Sequence, residues 1–267
     1  MLIRQDIAYD HGFCLIDPYG NLMQAIMESI PQERIKDVVI IDPTDTAWPV
    51  SFNPFAHIPL PLRHHALIGF MEIMQTRFGA HWSYRIEHAL RMTLSALLDY
   101  PQATLHDIVS LLTDAQYRNR VISYISDETV RRFFEIEFDE WQEKFAADAV
   151  MPIVNHINGL LAVPAIRNIF IQKENKISFD DIIARRGIVL VNLAQQGIGQ
   201  EHARFFGAVI MNKMKQAGMA RGQQPANARS NFYIYLSDFP LFMSGSLMNF
   251  FPEARTYGFS LAAAHQY

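Results

Sequence analysis

Five short runs of apolar residues divide the chain, and each ends in a polar or turn-forming residue. Apolar positions within a run are nearly continuous and do not alternate with polar ones. Strands buried on both faces have this pattern, because helices cover both sides of a parallel sheet. The sequence therefore predicts an α/β fold with a mostly parallel sheet flanked by helices. The runs are GFCLID (12–17), DVVIID (37–42), GIVLVNL (187–193), FYIYL (232–236) and FSLAAA (259–264).

The stretch from residue 61 to residue 177 has a different pattern and contains no convincing strand. Its apolar residues recur at helical spacing, as between Ile86 and Leu98, which gives a helix one apolar face. The aromatic residues from 133 to 145 are interpreted as the core side of a further helix. We predict an all-helical insertion at 61–177. The α/β core is then formed by residues 1–60 and 178–267.

A long helical pattern follows the third apolar run. It extends from Glu201 and is apolar on most sides as far as Gly218. Glycine commonly ends helices because it adopts the left-handed conformation without a side-chain clash. The sequence therefore predicts that this helix ends at Gly218.

Composition narrows the class of protein. The chain has 267 residues, half of them hydrophobic, which is enough to bury a large core. Its net charge of −4 gives no bulk attraction to nucleic acid, and its single cysteine, Cys14, excludes a disulfide framework. No apolar run is long enough to cross a bilayer, and no signal-peptide pattern is present. A soluble, cytoplasmic protein is expected.

The most informative chemistry lies at the ends of the last two strands. Ser237 and Asp238 follow the fourth strand, whereas Arg255 precedes the fifth and Gln266 follows it. In a nucleotide-hydrolysing site, one strand end supplies a carboxylate for Mg²⁺ or water, and its neighbour contacts the terminal phosphate. Asp17 ends the first strand, where it either lines a nucleotide crevice or stabilises the Asp-Pro-Tyr-Gly turn. The phosphate-cradling motif G-x-x-x-x-G-K-[ST] is absent from the sequence.

A set of short motifs in a fixed order resembles the conjugative coupling proteins of type IV secretion and their relatives in the FtsK–HerA motor superfamily. The resemblance covers essentially the whole chain and implies a RecA-like ATPase with a helical insertion. It also implies a hexameric ring that binds ATP and Mg²⁺ between subunits. The implied partners are other copies of the chain, DNA or a secreted protein, and components of the secretion channel. The motifs are LIDPYGNL (15–22), IIDPTDTAWPVSFNPF (40–55), LLTDAQYR (111–118), PAIRNIF (164–170), VNLAQQGIG (191–199), FYIYLSDF (232–239), EARTYG (253–258) and AHQY (264–267).

The resemblance also implies roles for single residues. Ser237 stands where the family has the aspartate that organises Mg²⁺, and Asp238 stands where it has the water-polarising glutamate. Arg255 would reach into the neighbouring subunit's site, and Gln266 would contact the terminal phosphate or its attacking water. Asp17 and Ser237 are the predicted nucleotide contacts, and Ser237 with Asp238 is the predicted metal site. Purely structural roles remain open: Asp238 as a turn cap, Arg255 at a helix C-terminus and Gln266 bonded to loop backbone.

In the family, the first strand and the phosphate loop precede the segment that begins this chain. The sequence thus resembles a motor domain that lacks these parts and its last elements. We expect poor binding of ATP and Mg²⁺, or none, and weak or absent hydrolysis. Association with the inner face of the cytoplasmic membrane would come through missing regions or partners.

Three further expectations follow from the same residues. The alternative to a motor is a non-catalytic relative or gene remnant that serves as a docking module. A dinucleotide-dependent enzyme is disfavoured, because GFCLIDPYGN (12–21) lacks the spaced glycines that such enzymes need. The edge of the FSLAAA strand would be exposed without its family neighbour, which predicts poor solubility.

Overall fold

A computed structural model describes residues 2–222, 224–225, 229–241 and 245–265. Its centre is one sheet of five strands, which coincide with the five apolar runs of the sequence. The strands are β1 (Gly12–Asp17), β2 (Val38–Ile41), β3 (Ile188–Asn192), β4 (Phe232–Ser237) and β5 (Phe259–Ala264).

All five strands run in the same direction, in the order β2-β3-β1-β4-β5. Every residue of β1 is buried, and so are the first four of β3, as expected for central strands covered on both faces. The predicted fold class, a parallel sheet flanked by helices, is confirmed. Because the sheet is parallel, all strand C-termini lie at one edge, called here the carboxyl edge. All strand N-termini lie at the other, the amino edge.

Contacts divide the chain into two compact units, Met1–Val50 with Ile177–Tyr267, and Ser51–Lys176. The first, the sheet unit, contains all five strands. Its helices flank the sheet, and the first two, at residues 2–8 and 21–27, pack on the face that carries Phe13 and Leu15 of β1. The helices of this unit are α1 (Leu2–Ala8), α2 (Asn21–Met27), α11 (Phe179–Ala184), α12 (Gln195–Ile198), α13 (Gln200–Arg221) and α14 (Gly245–Glu253).

The second unit, the helical unit, contains helices and no strand among its described residues. Side-chain caps explain where several helices begin: Ser83 accepts a hydrogen bond from the amide of Ile86, and Asp114 from those of Gln116 and Tyr117. The helices are α3 (Arg63–Phe78), α4 (Tyr84–Asp99), α5 (Asp107–Thr113), α6 (Ala115–Ile122), α7 (Glu128–Arg132), α8 (Phe138–Phe145), α9 (Met151–Leu161) and α10 (Pro164–Phe170).

The aromatic residues between 133 and 145 lie largely inside the helical unit. Phe133, Phe134 and Phe138 are buried, whereas Trp141 and Phe145 are half-buried. The backbone here is less regular than the sequence suggested, because π-helical turns at Phe133–Glu137 and Ala146–Val150 flank α8. These rings therefore belong to the core more than to an exposed stacking surface.

None of the described helices is by itself long and apolar enough to cross a bilayer. Residues 128–161 and 164–170 satisfy the length and composition requirement only when taken together, and they bend by 103° at their junction.

The end of α13 corrects one prediction. The helix does not stop at Gly218 but continues to Arg221. A Cβ atom at position 218 would lie only 2.4 Å from Cε2 of Phe259 in β5. Gly218 therefore allows the helix to approach the strand closely, and its local tendency to end helices is overridden by this packing.

Substitution of Gly218 tests this close approach. Gly218→Ala should lower the free energy of unfolding by about 1–3 kcal/mol, because the new methyl group must displace the buried Phe259 ring. Gly159→Ala in α9 is the matched control, since the nearest heavy atom there is a guanidinium nitrogen of Arg77 at 3.9 Å. It should stabilise the protein by up to about 1 kcal/mol. Urea unfolding followed by circular dichroism measures both, and an equal response of the two variants would contradict the packing argument.

Candidate functional site

Side chains that carry an oxygen end or follow four of the five strands at the carboxyl edge. The register pairs Asp17 of β1 with Asn192 of β3, and Ser237 of β4 with Ala264 of β5. Ile16 pairs with Leu236, so Asp17 and Ser237 lie side by side on neighbouring strands. The backbones of two such strands are about 5 Å apart. Asp42 lies beyond the end of β2. The carboxyl edge therefore carries a row of oxygen-bearing side chains, as the sequence predicted for Asp17, Ser237 and Asp238.

Asp17 is 2% exposed, and both of its carboxylate oxygens accept backbone hydrogen bonds. Oδ1 accepts from the amide of Tyr19 at 3.2 Å, and Oδ2 accepts from the amide of Met23 at 3.0 Å. These bonds hold the turn after β1 and the first turn of α2, whose amides have no partner within the helix. This arrangement is the one expected of a turn-stabilising aspartate. A contact between Asp17 and a nucleotide stays a prediction.

Asn192 and Asp42 join the ends of β3 and β2. The Asn192 amide nitrogen donates to Asp42 Oδ2 at 3.0 Å, and its oxygen accepts from the amide of Ala194 at 2.8 Å. Asp42 Oδ1 accepts from the amide and the hydroxyl of Thr44. A Cβ at Gly20 would lie 3.1 Å from the Asn192 side chain, and Gly20 has a φ of 81°. Only glycine suits both conditions without strain.

The end of β4 has an unusual backbone. Asp238 follows Ser237 with a φ of 48°, in the left-handed region that a non-glycine residue enters at some cost. The residue is 8% exposed. Its Oδ1 lies 3.9 Å from Nδ1 of His265, which directly follows β5. The ends of β4 and β5 are thus neighbours, as predicted. The predicted partner Gln266 lies outside the described residues.

Arg255 lies at the other edge of the sheet. It belongs to the 3₁₀ turn Ala254–Tyr257, directly before β5, and its side chain is exposed. Asp238 and His265 lie beyond the opposite ends of β4 and β5. Six residues of extended chain span roughly 20 Å. Arg255 and Asp238 of one chain therefore cannot meet at one phosphate group.

A cavity of about 290 Å³ adjoins Ser237 on the face of the sheet that carries α1. Its walls are apolar, with Leu2, Leu15 and Leu22 on one side and alanines of β5 on the other. The hydroxyl of Tyr235, which also lines it, donates to the carboxylate of Asp6, and burial together with this bond raises the pKa of Tyr235. The described walls supply no cation to hold phosphates. A larger cleft of about 450 Å³ in the helical unit contains none of the predicted site residues.

The fit to a magnesium nucleotide is partial. No group of three or more His, Cys, Asp or Glu side chains gathers into a metal site among the described residues. Mg²⁺ commonly takes only one or two carboxylates and completes its shell with phosphate oxygens and water. Asp238 supplies one carboxylate at the carboxyl edge, and the hydroxyl of Ser237 would be a weaker ligand. A magnesium site at Ser237 and Asp238 stays a prediction.

Comparison with known proteins places this geometry in a known fold. No protein-family model matches the sequence, and no curated protein matches it. Solved structures of the bacterial conjugative coupling protein TrwB match with TM-scores of 0.59 to 0.60 and sequence identities of 9 to 10%. They cover 97 to 100% of this chain. The chain has the fold of the coupling protein TrwB.

The resemblance that the motifs predicted is confirmed at the level of the fold. TrwB structures include an unbound form, a complex with the ATP analogue ADPNP and a complex with ADP and Mg²⁺. The chain spans 56 to 60% of the TrwB chains it matches. Nucleotide and magnesium binding are properties of TrwB. The similarity shows that this chain shares the arrangement of helices and strands, and nothing more.

Two side chains at the carboxyl edge were not predicted: Asn192 and His265. Asn192 ends β3 as Asp17 ends β1, and strand ends in a parallel sheet share one edge. That rule would have found Asn192. His265 directly follows β5 and lies near Asp238. Its position depends on the register of β4 against β5, which the sequence alone does not give.

The turn-stabilising geometry of Asp17 leads to a stability prediction. Asp17→Ala leaves two amides without their acceptor and should cost about 2–3 kcal/mol of unfolding free energy. Asp42→Ala, at a more exposed strand end, should cost about 1 kcal/mol or less. Urea denaturation without nucleotide measures both. If Asp17→Ala leaves stability unchanged and only weakens nucleotide binding, the turn interpretation is wrong.

Proposed function

We propose that the chain is part of the motor domain of a ring-forming ATPase of the conjugative coupling type. Such a motor couples ATP hydrolysis to the transfer of DNA or protein through a secretion channel at the cytoplasmic side of the membrane. The observation that carries the proposal is the TrwB-like parallel sheet with Ser237 and Asp238 at its carboxyl edge. Other copies of the chain and channel components are its partners.

The position of Arg255 supports action between subunits. Its exposed side chain lies at the amino edge, and Asp238 lies at the carboxyl edge. An arginine that serves a phosphoryl group must therefore serve the site of another copy. In a head-to-tail ring, every subunit presents the same two surfaces, so one arginine can serve each interface. Arginine is suited to this role because its charge is permanent and its donors form a rigid fork.

The chemistry of the edge supports weak activity. Bound Mg²⁺ would polarise a phosphate and neutralise developing charge. In this chain Asp238 is the residue to hold the ion or orient a water, and Ser237 replaces the carboxylate that the resembling family uses. A hydroxyl is a poor ligand for Mg²⁺, and an aspartate reaches less far than a glutamate. Catalysis responds strongly to displacements of about 1 Å. The apolar cavity beside Ser237 further disfavours a triphosphate.

The second candidate function is a non-catalytic docking module with the same fold. Ser237 favours it, because a pseudo-ATPase has no need of the metal-organising carboxylate. The contacts of Asp17 and Asp42 favour it as well, since both carboxylates already accept hydrogen bonds from the chain's own turns and strand ends. The two functions differ in whether changes at Asp238 alter anything that depends on nucleotide.

A nucleotide titration separates them. The chain should bind Mg-ATP with a Kd of about 1 mM or weaker, a free energy near −4 kcal/mol, and release phosphate near background. Asp238→Ala should remove the remaining Mg²⁺ dependence, and the double substitution S237D/D238E should increase phosphate release. Isothermal titration and a phosphate-release assay measure these effects.

Glu143→Ala, an exposed acid in the helical unit, is the control for loss of one negative charge. It should leave nucleotide binding unchanged. Micromolar binding by the unaltered chain would refute the expectation of a deficient phosphate site. If Asp238→Ala and S237D/D238E both have no effect, the motor proposal fails and the docking function is favoured.

Action between subunits can be tested by mixing two inactive variants in the S237D/D238E background. One adds Arg255→Ala, and the other carries alanine at position 238. Neither alone has a complete interface, whereas random mixed rings have an intact carboxylate facing an intact arginine at roughly a quarter of their interfaces. Phosphate release should therefore reappear on mixing. No recovery, with mixed assembly verified by tagged copurification, would contradict a site shared between copies.

A further inference from the structure

The turn that carries Arg255 is bound to the end of α13 by arginine side chains. Ala254–Tyr257 lies at the amino edge, beside the segment that leads from α13 to β4. Its backbone is anchored at its end, since the amide of Gly258 donates to the carbonyl of Arg255 at 3.1 Å, and the carbonyl of Gly258 accepts from the amide of Phe232. Arg229 and Arg221 add side-chain contacts around it.

The guanidinium of Arg229 donates hydrogen bonds to three backbone carbonyls. Nη1 donates to the carbonyl of Thr256, the residue directly after Arg255. Nε donates to the carbonyl of Gln224 at 2.9 Å, and Nη2 donates to that of Gly222 at 2.8 Å. One guanidinium thus connects the Arg255 turn with the last turn of α13 and the segment beyond it. A planar fork with five donors suits three carbonyls in different directions.

Arg221 reinforces the same junction from the helix side. It is 7% exposed, donates from Nη2 to the carbonyl of Ser230, and lies over the ring of Phe259 at 5.7 Å. Burial and the nearby charge of Arg229 lower the pKa of Arg221, and Asp180 opposes that shift. A Cβ at Gly222 would lie 3.1 Å from the ring of Tyr257, so helix end and turn are also closely packed.

We propose that Arg229 is a positioning residue for Arg255. It fixes the backbone of the turn so that the exposed Arg255 side chain points away from its own sheet unit at a constant place and direction. The part of this inference that concerns a neighbouring copy rests on the proposed function. The part that concerns the turn rests on the contacts of Arg229 alone. Arg229 acts through Arg255 and does not itself contact the phosphoryl group.

The need for a fixed turn follows from the distance that Arg255 must bridge. A long side chain on a mobile turn samples many directions, and each must be lost when it meets its target. Fixing the turn beforehand removes that cost and keeps the donors within the narrow range that phosphoryl-group stabilisation requires. Arg229 provides this with donors that are directed at carbonyls of its own chain.

Hydrogen–deuterium exchange tests the turn directly and needs no nucleotide. In the unaltered chain, the amide of Gly258 should exchange far more slowly than an exposed turn. Arg229→Gln should speed its exchange by about tenfold or more, because the turn then opens locally. Arg229→Lys should behave like Arg229→Gln, since a lysine keeps the charge but cannot bridge three carbonyls. Arg185→Gln, at the amino edge beside β3, is the matched control and should leave Gly258 unchanged.

A spin label gives a second readout. A nitroxide attached at Arg255→Cys reports the motion of the turn, and the native Cys14 is buried and does not compete for the label. The label should be restricted in the unaltered background and distinctly more mobile with Arg229→Gln. Fast exchange at Gly258 in the unaltered chain would overturn the inference even if Arg229→Gln fails to fold. Full rescue by Arg229→Lys, or equal label mobility in both backgrounds, would overturn it as well.

The mixing experiment with Arg255→Ala separates this inference from the proposed function. If Arg229→Gln loosens the turn but mixing never restores phosphate release, the motor proposal fails and the role of Arg229 in the turn stands. If mixing restores phosphate release, Arg229→Gln should be added to the chain that supplies Arg255. It should lower the maximal rate of release severalfold and leave the KM for ATP unchanged. If the rate of release stays the same, the positioning role is overturned.

Discussion

The parallel direction of all five strands is the constraint on which the rest depends. It collects every strand C-terminus at one edge and every N-terminus at the other. Ser237, Asp238 and His265 therefore share the carboxyl edge, whereas Arg255, only a short turn before β5, lies at the amino edge. No rotation of a side chain can reverse that separation, because the length of a strand exceeds the reach of an arginine. Any chemistry that uses both groups must join two copies of the chain.

The shared strand direction also explains why aspartate and asparagine side chains lie at the carboxyl edge and arginine side chains at the amino edge. Helices begin beyond the carboxyl edge with amides that lack partners, and they end near the amino edge with carbonyls that lack partners. Acceptors are therefore needed after the strands and donors before them, in accord with the helix dipole. At the carboxyl edge, Asp17, Asp42 and Asn192 accept from backbone amides. At the amino edge, arginines donate to backbone carbonyls before four strands: Arg34 to His11 and Arg186, Arg221 to Ser230, and Arg229 to Thr256.

Much of this architecture could be predicted from the sequence, because burial on both faces of a parallel strand leaves a nearly continuous apolar run. All five strands were found in this way, and their shared direction brought Asp17, Ser237 and Asp238 to one edge. The prediction failed where a contact distant in sequence decides the outcome. Gly218 looked like a helix stop, but its role is set by Phe259 in a strand that follows much later. His265 and the donors of Arg229 depend likewise on register and on loop paths, which local patterns do not encode.

Many polar side chains at both edges are explained by hydrogen bonds to backbone groups. The presence of such a side chain is therefore not by itself evidence of function. Asp17 is explained by the amides it accepts, so its presence is no argument for a nucleotide. Asp238 differs in its surroundings, because it is buried on a left-handed backbone and lies near His265. Arg255 is different as well, since its exposed guanidinium lies on a turn that another arginine already holds. Asp238 and Arg255 lie at opposite edges of the sheet, so a site that used both would have to be shared between copies of the chain.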